Sequence, residues 1–428
     1  MKAKMRECAK MPYHFGLVVR IYPDYQQKHI IAQNDGAARF VYNRLVAMNN
    51  ERFQMKKVSA VVPAYAERID YLDSVLRNKV SSCTIPKMLK NSAPFLFEKD
   101  IDSLAIENAV RNYNNAWKKF KEDHRAGVPK FHKKGYEQSY QTNAHYRADA
   151  IGINDGNVRF LDRKHVQLPI LGRIRIAGSR ERIESIMFRN ETRIGTITIS
   201  RDSVGRYFAS FQIASEYPLY PPYAHTGAAV GIDLNIENFL WDSDNNRVDN
   251  PQYKRAVTSQ LAKRQRKMSR KAERARKENR KLAESKNYQK DRLRVAYLHA
   301  KVAGRSEDFR HIVSKQYVES QDIIVVENLK VSNLLKNHRL AFCISEVGWS
   351  DFLRKLEYKA AANDRIFIKV SPHNTSQTCS CCGHVLSKDR KLTLSDREWV
   401  CPQCGAYHVR DHNAAQVILD RGLASLAD

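Results

Sequence analysis

The sequence predicts a multi-domain α+β chain. It has a small β-barrel, a block of helices inserted into that barrel, and an α/β domain interrupted by a four-cysteine ribbon. Three observations predict this. Apolar residues follow helical spacing up to about residue 120, short alternating runs over 130–215, and strands alternating with helices from 228 onward. Five of the eight cysteines fall between Cys379 and Cys404, which reads as metal binding rather than as a secreted disulfide scaffold. Lysine and arginine outnumber aspartate and glutamate 73 to 46, a formal net charge of +27. An excess of that size costs stability through self-repulsion and attracts polyanions, so it points to nucleic acid or an anionic membrane as partner.

Length and composition bound the rest. At roughly 150 residues per domain, 428 residues suggest about three domains. A hydrophobic content of 43% excludes a disordered basic tail. Met1 to Lys10 carry charges and no apolar run, so no secretory signal is visible. No apolar stretch approaches ~18 residues, which excludes an ordinary membrane-spanning helix. The expected setting is therefore the cytoplasm, with no membrane partner.

The elements follow in order. FGLVVRIY (15–22) alternates loosely and ends at Pro23, as a strand does. DGAARFVYNRLVAMNNERF (35–53) and DSLAIENAVRNYNNAWKKFKE (102–122) are helical, the second with Asp102 as N-cap. No internal repeat is present. Gly127-Val128-Pro129 marks a break. Beyond it, Asn154-Asp155-Gly156 signals a hairpin before VRFL, and DSVG joins TITIS (196–200) to RYFASFQIA (206–214) as another. The N-terminal strand completes this all-β domain. Pro218, Pro221 and Pro222 form a boundary. AAVGIDLNIENFLWDSD (228–244) then reads as strand, turn and strand. Residues 254–281 hold 13 Lys/Arg against two Glu, a long charged helix expected to form half of a hairpin with 288–320. DIIVVENL (322–329) and IFIKV (366–370) are strands around a helix at about 350–363, and HNAAQVILDRGL closes the chain as a helix.

Three constellations carry chemistry. Cys379-Ser-Cys-Cys382 and Cys401-Pro-Gln-Cys404, eighteen residues apart, have zinc-ribbon spacing, and Gly383 and Gly405 follow each pair where a knuckle turn prefers glycine. Four thiolates leave no open position, so the metal would be structural. Cys381 reads as a bystander, with His384 and His408 as alternative ligands. Four unrelated buried thiols are the bland alternative. Next, Asp233 and Glu327 lie in or at the end of apolar strands and Asp411 opens the last helix. A charge at the end of a buried strand is expensive unless it is paired or binds metal. Nucleases that use two metal ions need carboxylates converging on Mg2+ ions about 3.5–4 Å apart. The alternatives are an N-cap for Asp411 and solvent-facing strand ends for the other two. Third, Lys263, Arg264, Lys267, Arg270, Lys271 and Arg274 crowd one helix with too few glutamates for i,i+4 pairing, so nucleic-acid tracking is favoured over a solvated face. Lys130, Lys133 and Tyr140, in KFHKKGYEQSYQTNAHYR (130–147), suit backbone clasping and base stacking, though aromatics there equally suit a core. Walker A, G-x-G-x-x-G and H-E-x-x-H are absent, which disfavours an ATPase, a dehydrogenase and a zincin.

GIDLN (231–235), VVENLK (325–330), ISEVGWSDFLRKLEYKA (344–360), VSPHNTSQTCSCCG (370–383), WVCPQCG (399–405) and RDHNAA (410–415), in that order, resemble TnpB. This is the insertion-sequence-encoded RNA-guided nuclease family related to compact type V CRISPR effectors. LVVRIYP, ARFVYN (38–43) and VPKFHKKGYEQSYQT (128–142) extend the resemblance over nearly the whole chain. It implies a wedge-type β-barrel from 1–29 and 130–225, and a helical recognition lobe at 30–129. It also implies a RuvC-like RNase H nuclease domain from 226–371 and 407–428, and a zinc ribbon at 372–406. It places a catalytic triad on Asp233, Glu327 and Asp411, with two Mg2+ held by Asp233 and Asp411 and one shared by Glu327, and one structural Zn2+ on Cys379, Cys382, Cys401 and Cys404. The implied partners are a guide RNA, with one chain per RNA, and double-stranded target DNA. Ser103 and Glu107 would face a short flanking motif, and Arg410 and Asn413 would touch phosphate. One departure stands out: the family often has Asp-x-Gly where this chain has Asp233-Leu-Asn235. The alternatives are an RNA-guided DNA-binding regulator that does not cut, and a DNA-binding transposase accessory.

Overall fold

The computed structural model of the chain describes residues 8–58, 62–76, 88–89, 91–147, 149–393 and 395–427. Most of the charged opening stretch therefore lies outside the described residues. The chain divides into two compact units, residues 1–219 and 220–428.

The first unit holds β1 (Tyr13–Tyr22), α1 (Tyr25–Val58), α2 (Ala66–Leu76), α3 (Ser103–Glu122), β2 (Gln138–Asn143), β3 (Arg159–Asp162), β4 (His165–Leu168), β5 (Gly172–Ala177), α4 (Arg180–Met187), β6 (Thr192–Arg201) and β7 (Tyr207–Ser215). Its seven strands form one sheet in the order β2-β6-β7-β1-β5-β4-β3. β1 sits in the middle because its period-2 pattern buries Leu17, Val19 and Ile21 against Ile174, Ile176, Phe211 and Ile213. Between β1 and β2, α1 and α3 pack through Val41, Leu45, Ile106 and Val110. Asp102 caps α3, accepting from the Leu104 N–H at 3.0 Å.

Three expectations need correction here. The strand order ends at β2 and β3, and among the described residues these two share no ladder; a bridge between Tyr146 and Gly156 joins the segments beside them. Closure is therefore looser than that of a fully hydrogen-bonded barrel. Asn154-Asp155-Gly156 is not a hairpin turn. Asp155 accepts from the Ile151 and Gly152 N–H groups and holds a 3-10 turn, and the β3–β4 hairpin turns at Arg163-Lys164 instead. Tyr140 is 3% exposed in the sheet core. Burial drives its phenol pKa far up, and a ring so enclosed is not available to stack on a base.

The second unit holds β8 (Ala229–Leu234), β9 (Asn238–Asp242), β10 (Arg247–Asp249), α5 (Tyr253–Lys277), α6 (Lys286–Ser320), β11 (Ile323–Glu327), α7 (Val331–Leu334), α8 (Ala341–Val347), α9 (Trp349–Ala362), β12 (Ile366–Val370), β13 (Glu398–Val400), β14 (Tyr407–Val409) and α10 (Arg410–Ala427). Five strands order as β10-β9-β8-β11-β12, with β8, β11 and β12 parallel and β9 and β10 antiparallel. One face buries Val230, Ile232, Ile324 and Val326 against Val313, Tyr317, Phe352 and Leu356. On the other face, α10 lies on the backbone itself. A Cβ on Gly231 would fall 2.1 Å from the Ala415 carbonyl oxygen, so only glycine admits the helix at this depth. That close approach brings the first turn of α10 to the C-terminal ends of β8 and β11.

α5 and α6 form the expected helical hairpin. Its basic character is partly consumed inside it. Asp291 of α6 is buried, and Lys271 and Arg294 bond to it while Arg264 lies 3.9 Å away. The Lys271 hydrogen bond, working against burial, holds the Asp291 carboxyl below its usual range. Lys271 is thus a strut between the helices rather than a free cation. Lys263, Lys267, Arg270 and Arg274 remain exposed.

Candidate metal centres

The cysteine module is built from two equivalent knuckles. The Gly383 N–H bonds the Cys379 carbonyl and the Gly405 N–H bonds the Cys401 carbonyl, both at 2.9 Å. Each glycine has positive φ, 75° and 74°, the left-handed region where a side chain is strained. The Cys379 N–H then bonds His384 O and the Cys401 N–H bonds Ala406 O. These turns bring the four Sγ atoms within 4.8 Å of one another, with Cys379–Cys404 and Cys382–Cys401 each 3.7 Å apart. With a Zn–S bond of about 2.3 Å, the edge of a tetrahedral four-sulfur site is about 3.8 Å, so the donor set fits such a metal. Cys379, Cys381 and His408 form a second group of the same tightness, but it supplies only three donors. Burial holds the His408 imidazole below its usual pKa. Its Nε2 lies 3.1 Å from Cys379 Sγ.

The carboxylates are assembled by register. Val326 pairs with Ile232 across the parallel β11–β8 ladder, so Glu327 and Asp233 follow side by side at the strand ends, on one face. Asp411 arrives from α10. Burial pushes the Asp233 carboxyl well above its ordinary range, and the nearby charges of Glu327 and Asp411 push it further, against a smaller opposing effect of Arg410. Glu327 is also raised, chiefly by burial, while the Thr375 hydroxyl that donates to it pulls the other way. Among the described residues the Asp233 carboxylate has no hydrogen-bond partner, while its backbone lies in the ladder opposite Trp241. Three acids thus converge on one edge, Glu327 and Asp411 buried and Asp233 half-buried, with the nearby guanidinium charge held on Asp411. The set is all oxygen, which suits a hard divalent cation. It is more open than the thiol cluster: among the described residues, the groups closed to within 4.8 Å are those of the cysteine module.

Asp411 is not an N-cap. Arg410 donates to its Oδ1 through Nε at 3.0 Å and Nη2 at 2.9 Å, Asn235 Nδ2 donates to Oδ2 at 2.9 Å, and Arg397 Nη1 lies 3.6 Å away. Arg410 is therefore spent on Asp411 and on the Thr393 carbonyl, and is buried, so it does not present its fork to a phosphate. Asn413, 1% exposed, donates to the Thr378 carbonyl and accepts from the Ser380 N–H. It fastens the first knuckle to α10 instead of facing nucleic acid. Asn235, Thr375 and Arg397 are partners of the acids that local spacing does not mark, although Asn235 is the departure from Asp-x-Gly and Thr375 lies in the NTSQTC run. Lys130, Lys133 and Ser103 are exposed and Glu107 is half-buried, one turn from Ser103 on α3.

Comparison with known proteins gives this geometry a family. Residues 349–418 match a family model described as "Cas12f1-like, TNB domain" and residues 210–338 one described as "Probable transposase". A protein of Streptomyces pristinaespiralis, named "Putative RNA-guided DNA endonuclease", is 31% identical over 412 residues, covering 95% of this chain and 89% of the relative. The chain belongs to the TnpB family. Within it, the relative "Putative RNA-guided DNA endonuclease InsQ" of Escherichia coli is 27% identical over 95% of this chain and 92% of its own. A "TnpB-like protein" of Acanthamoeba polyphaga mimivirus is 27% identical over 29% of this chain and 24% of its own. A third model, "Helix-turn-helix domain", matches residues 11–57, which here fold as a strand and one long helix. Among solved structures, one described as "Cryo-EM structure of the Cas12f1-sgRNA-target DNA complex" has the same overall fold, with a TM-score of 0.57, 13% identity, and coverage of 95% of this chain and 98% of that one.

Proposed function

We propose that this TnpB-family protein is an RNA-guided DNA endonuclease that cuts with a RuvC-like site on Asp233, Glu327 and Asp411. The observation that carries this is the convergence of three carboxylates, Asp233 and Glu327 set side by side by the β8–β11 register and Asp411 opening α10. A carboxyl beside two other acids at a buried strand end, without a hydrogen-bond donor, is an unfavourable arrangement unless a cation completes it. The names of the relatives supply the substrate class, and the Cas12f1 complex of like fold contains both sgRNA and target DNA. The strand order β10-β9-β8-β11-β12 supports the RNase H reading of 226–371 and 407–428, with the zinc ribbon at 372–406. The seven-stranded sheet supports the wedge-type role of 1–29 and 130–225, and the helices of 30–129 the recognition lobe.

Asp233 and Asp411 would hold two Mg2+ ions, with Glu327 sharing one; when bound, they supply a lowered pKa for the attacking water and stabilise charge on the leaving oxygen. The chain's own contribution is placement. β8 and β11 align Asp233 and Glu327, and α10 on Gly231 delivers Asp411. Four thiolates would hold one structural Zn2+. Lys263, Lys267, Arg270 and Arg274, with Lys130 and Lys133, offer exposed charge for the phosphates of guide and target. Ser103 and Glu107 remain the candidates for reading a flanking motif.

A regulator that binds without cutting is the reading to exclude. The complex of protein and guide RNA, given a plasmid with the matched sequence, is expected to cleave it in Mg2+ and to bind without cleavage in EDTA. Binding with no cleavage under either condition would favour the regulator.

A further inference from the structure

We infer that Asn235 is a positioning residue for Asp411, and that it sets the spacing between Asp411 and Asp233. The inference rests on the nuclease reading of the three acids. Asn235 lies two residues beyond Asp233, in the turn between β8 and β9, and both ends of its amide are engaged. Oδ1 accepts from the Asn238 N–H at 2.7 Å, and Nδ2 donates to Asp411 Oδ2 at 2.9 Å. The two contacts allow one amide orientation only, because a backbone N–H needs an acceptor and a carboxylate needs a donor.

The contacts of Asp411 are not equivalent. Arg410 is its neighbour on α10 and is anchored to the Thr393 carbonyl of the cysteine module, so the Arg410 fork relates the helix to that module and not to β8. The Asn235 bond crosses from the sheet to the helix. It ties Asp411 to the same turn that follows Asp233. A second, indirect tie runs through this turn, since Glu237 bonds Arg397 and Arg397 approaches Asp411 Oδ2. An amide also suits the task chemically. It fixes the oxygen without adding to the Arg410 and Arg397 charge already on this carboxylate, and leaves a further lone pair for a cation. Lysine or arginine at 235 would compete with that cation, and glycine supplies no donor. The side chain that departs from the family's frequent Asp-x-Gly is therefore a device for aiming Asp411, not an obstruction.

The test separates aiming from turn formation. Serine at 235 keeps an acceptor for the Asn238 N–H in a short Ser/Thr turn but is too short to reach Asp411. Asn235→Ser and Asn235→Ala, as full protein–RNA complexes, are compared with wild type and with Asp233→Ala. The readouts are Mn2+ binding by electron paramagnetic resonance, the Mg2+ concentration for half-maximal cleavage, melting temperature and zinc content. Loss of an orienting partner typically weakens metal affinity about 10-fold or more. Asn235→Ser is expected to show that loss in both ion measurements, with melting and zinc unchanged. Wild-type Mn2+ binding by Asn235→Ser would overturn the inference, even if Asn235→Ala melts early, because the residue would then serve the turn alone. Mn2+ binding that Asp233→Ala leaves unchanged would instead overturn the carboxylate-site reading on which the inference rests.

Discussion

A Cys401→Ser variant is expected to lose its zinc, fall in melting temperature and lose cleavage together. Cys401 is 1% exposed and lies on one edge of the sulfur tetrahedron. Among the described residues, the module around it has a core of Cys379, Leu386, Trp399 and Cys401, with Leu392 against it. Its β13–β14 pair is a two-stranded sheet, marginal by itself in water. Structural zinc contributes about 10–16 kcal/mol of apparent binding energy in small modules, more than such a core supplies. The damage does not stop at the module. Thr375 donates to Glu327, Arg410 of the Asp411 clamp donates to the Thr393 carbonyl, and Asn413 and Gln416 of α10 bond the backbone and hydroxyl of Ser380. Losing the knuckles loosens two of the three acids. Metal analysis, calorimetry and plasmid cleavage check this. Full zinc content with unchanged melting would show that the ligand set is wrong.

Asp233→Ala is expected to reduce cleavage by about 10³-fold or more, roughly 4 kcal/mol of transition-state stabilisation at 1.36 kcal/mol per decade. It should do so without destabilising the metal-free protein. The two effects have one cause. Burial and the charges of Glu327 and Asp411 raise the Asp233 carboxyl in the folded state. An acid with a raised folded pKa contributes stability below its unfolded value, near 3.9, and that contribution is lost as pH rises through the folded value. In EDTA at neutral pH the wild type carries this penalty and the variant does not. The variant should therefore melt at or above wild type, and should lose less stability as pH rises from about 4 to 7. A variant that melts much earlier than wild type in EDTA would place Asp233 in ordinary structural pairing instead.

The parts of this design that were legible in the sequence are those written in local spacing. C-x2-C repeated after eighteen residues needs only two tight turns. Asp233 and Glu327 stood out because each is a charge at an otherwise apolar strand. Asp102 and DSVG signalled a cap and a hairpin through their immediate neighbours. What was missed depends on long-range pairing. Lys271 finds Asp291 on the facing helix, beyond any i,i+4 count. Arg410 and Asn413 looked free because Thr393, Thr378 and Ser380 reach them through the fold of the cysteine module. Tyr140 is the instructive miss. In QSYQTN, period 2 turns Tyr140 and Thr142 inward and Ser139 and Gln141 outward, but the basic and aromatic surroundings suggested a base-stacking surface. Asp155 bonding its own preceding N–H groups likewise overrode an Asn-Asp-Gly hairpin signal.

RNA-guided cleavage makes one demand that no other function of this fold makes: the cut must follow the RNA. The direct measurement replaces the guide segment of the bound RNA, keeping its scaffold and the flanking motif, and maps cleavage on plasmids matched to the old and new guides. Cleavage that moves to the new match and leaves the old plasmid intact is the predicted result. Cleavage of both plasmids alike, or cutting that stays with the original sequence, would contradict it.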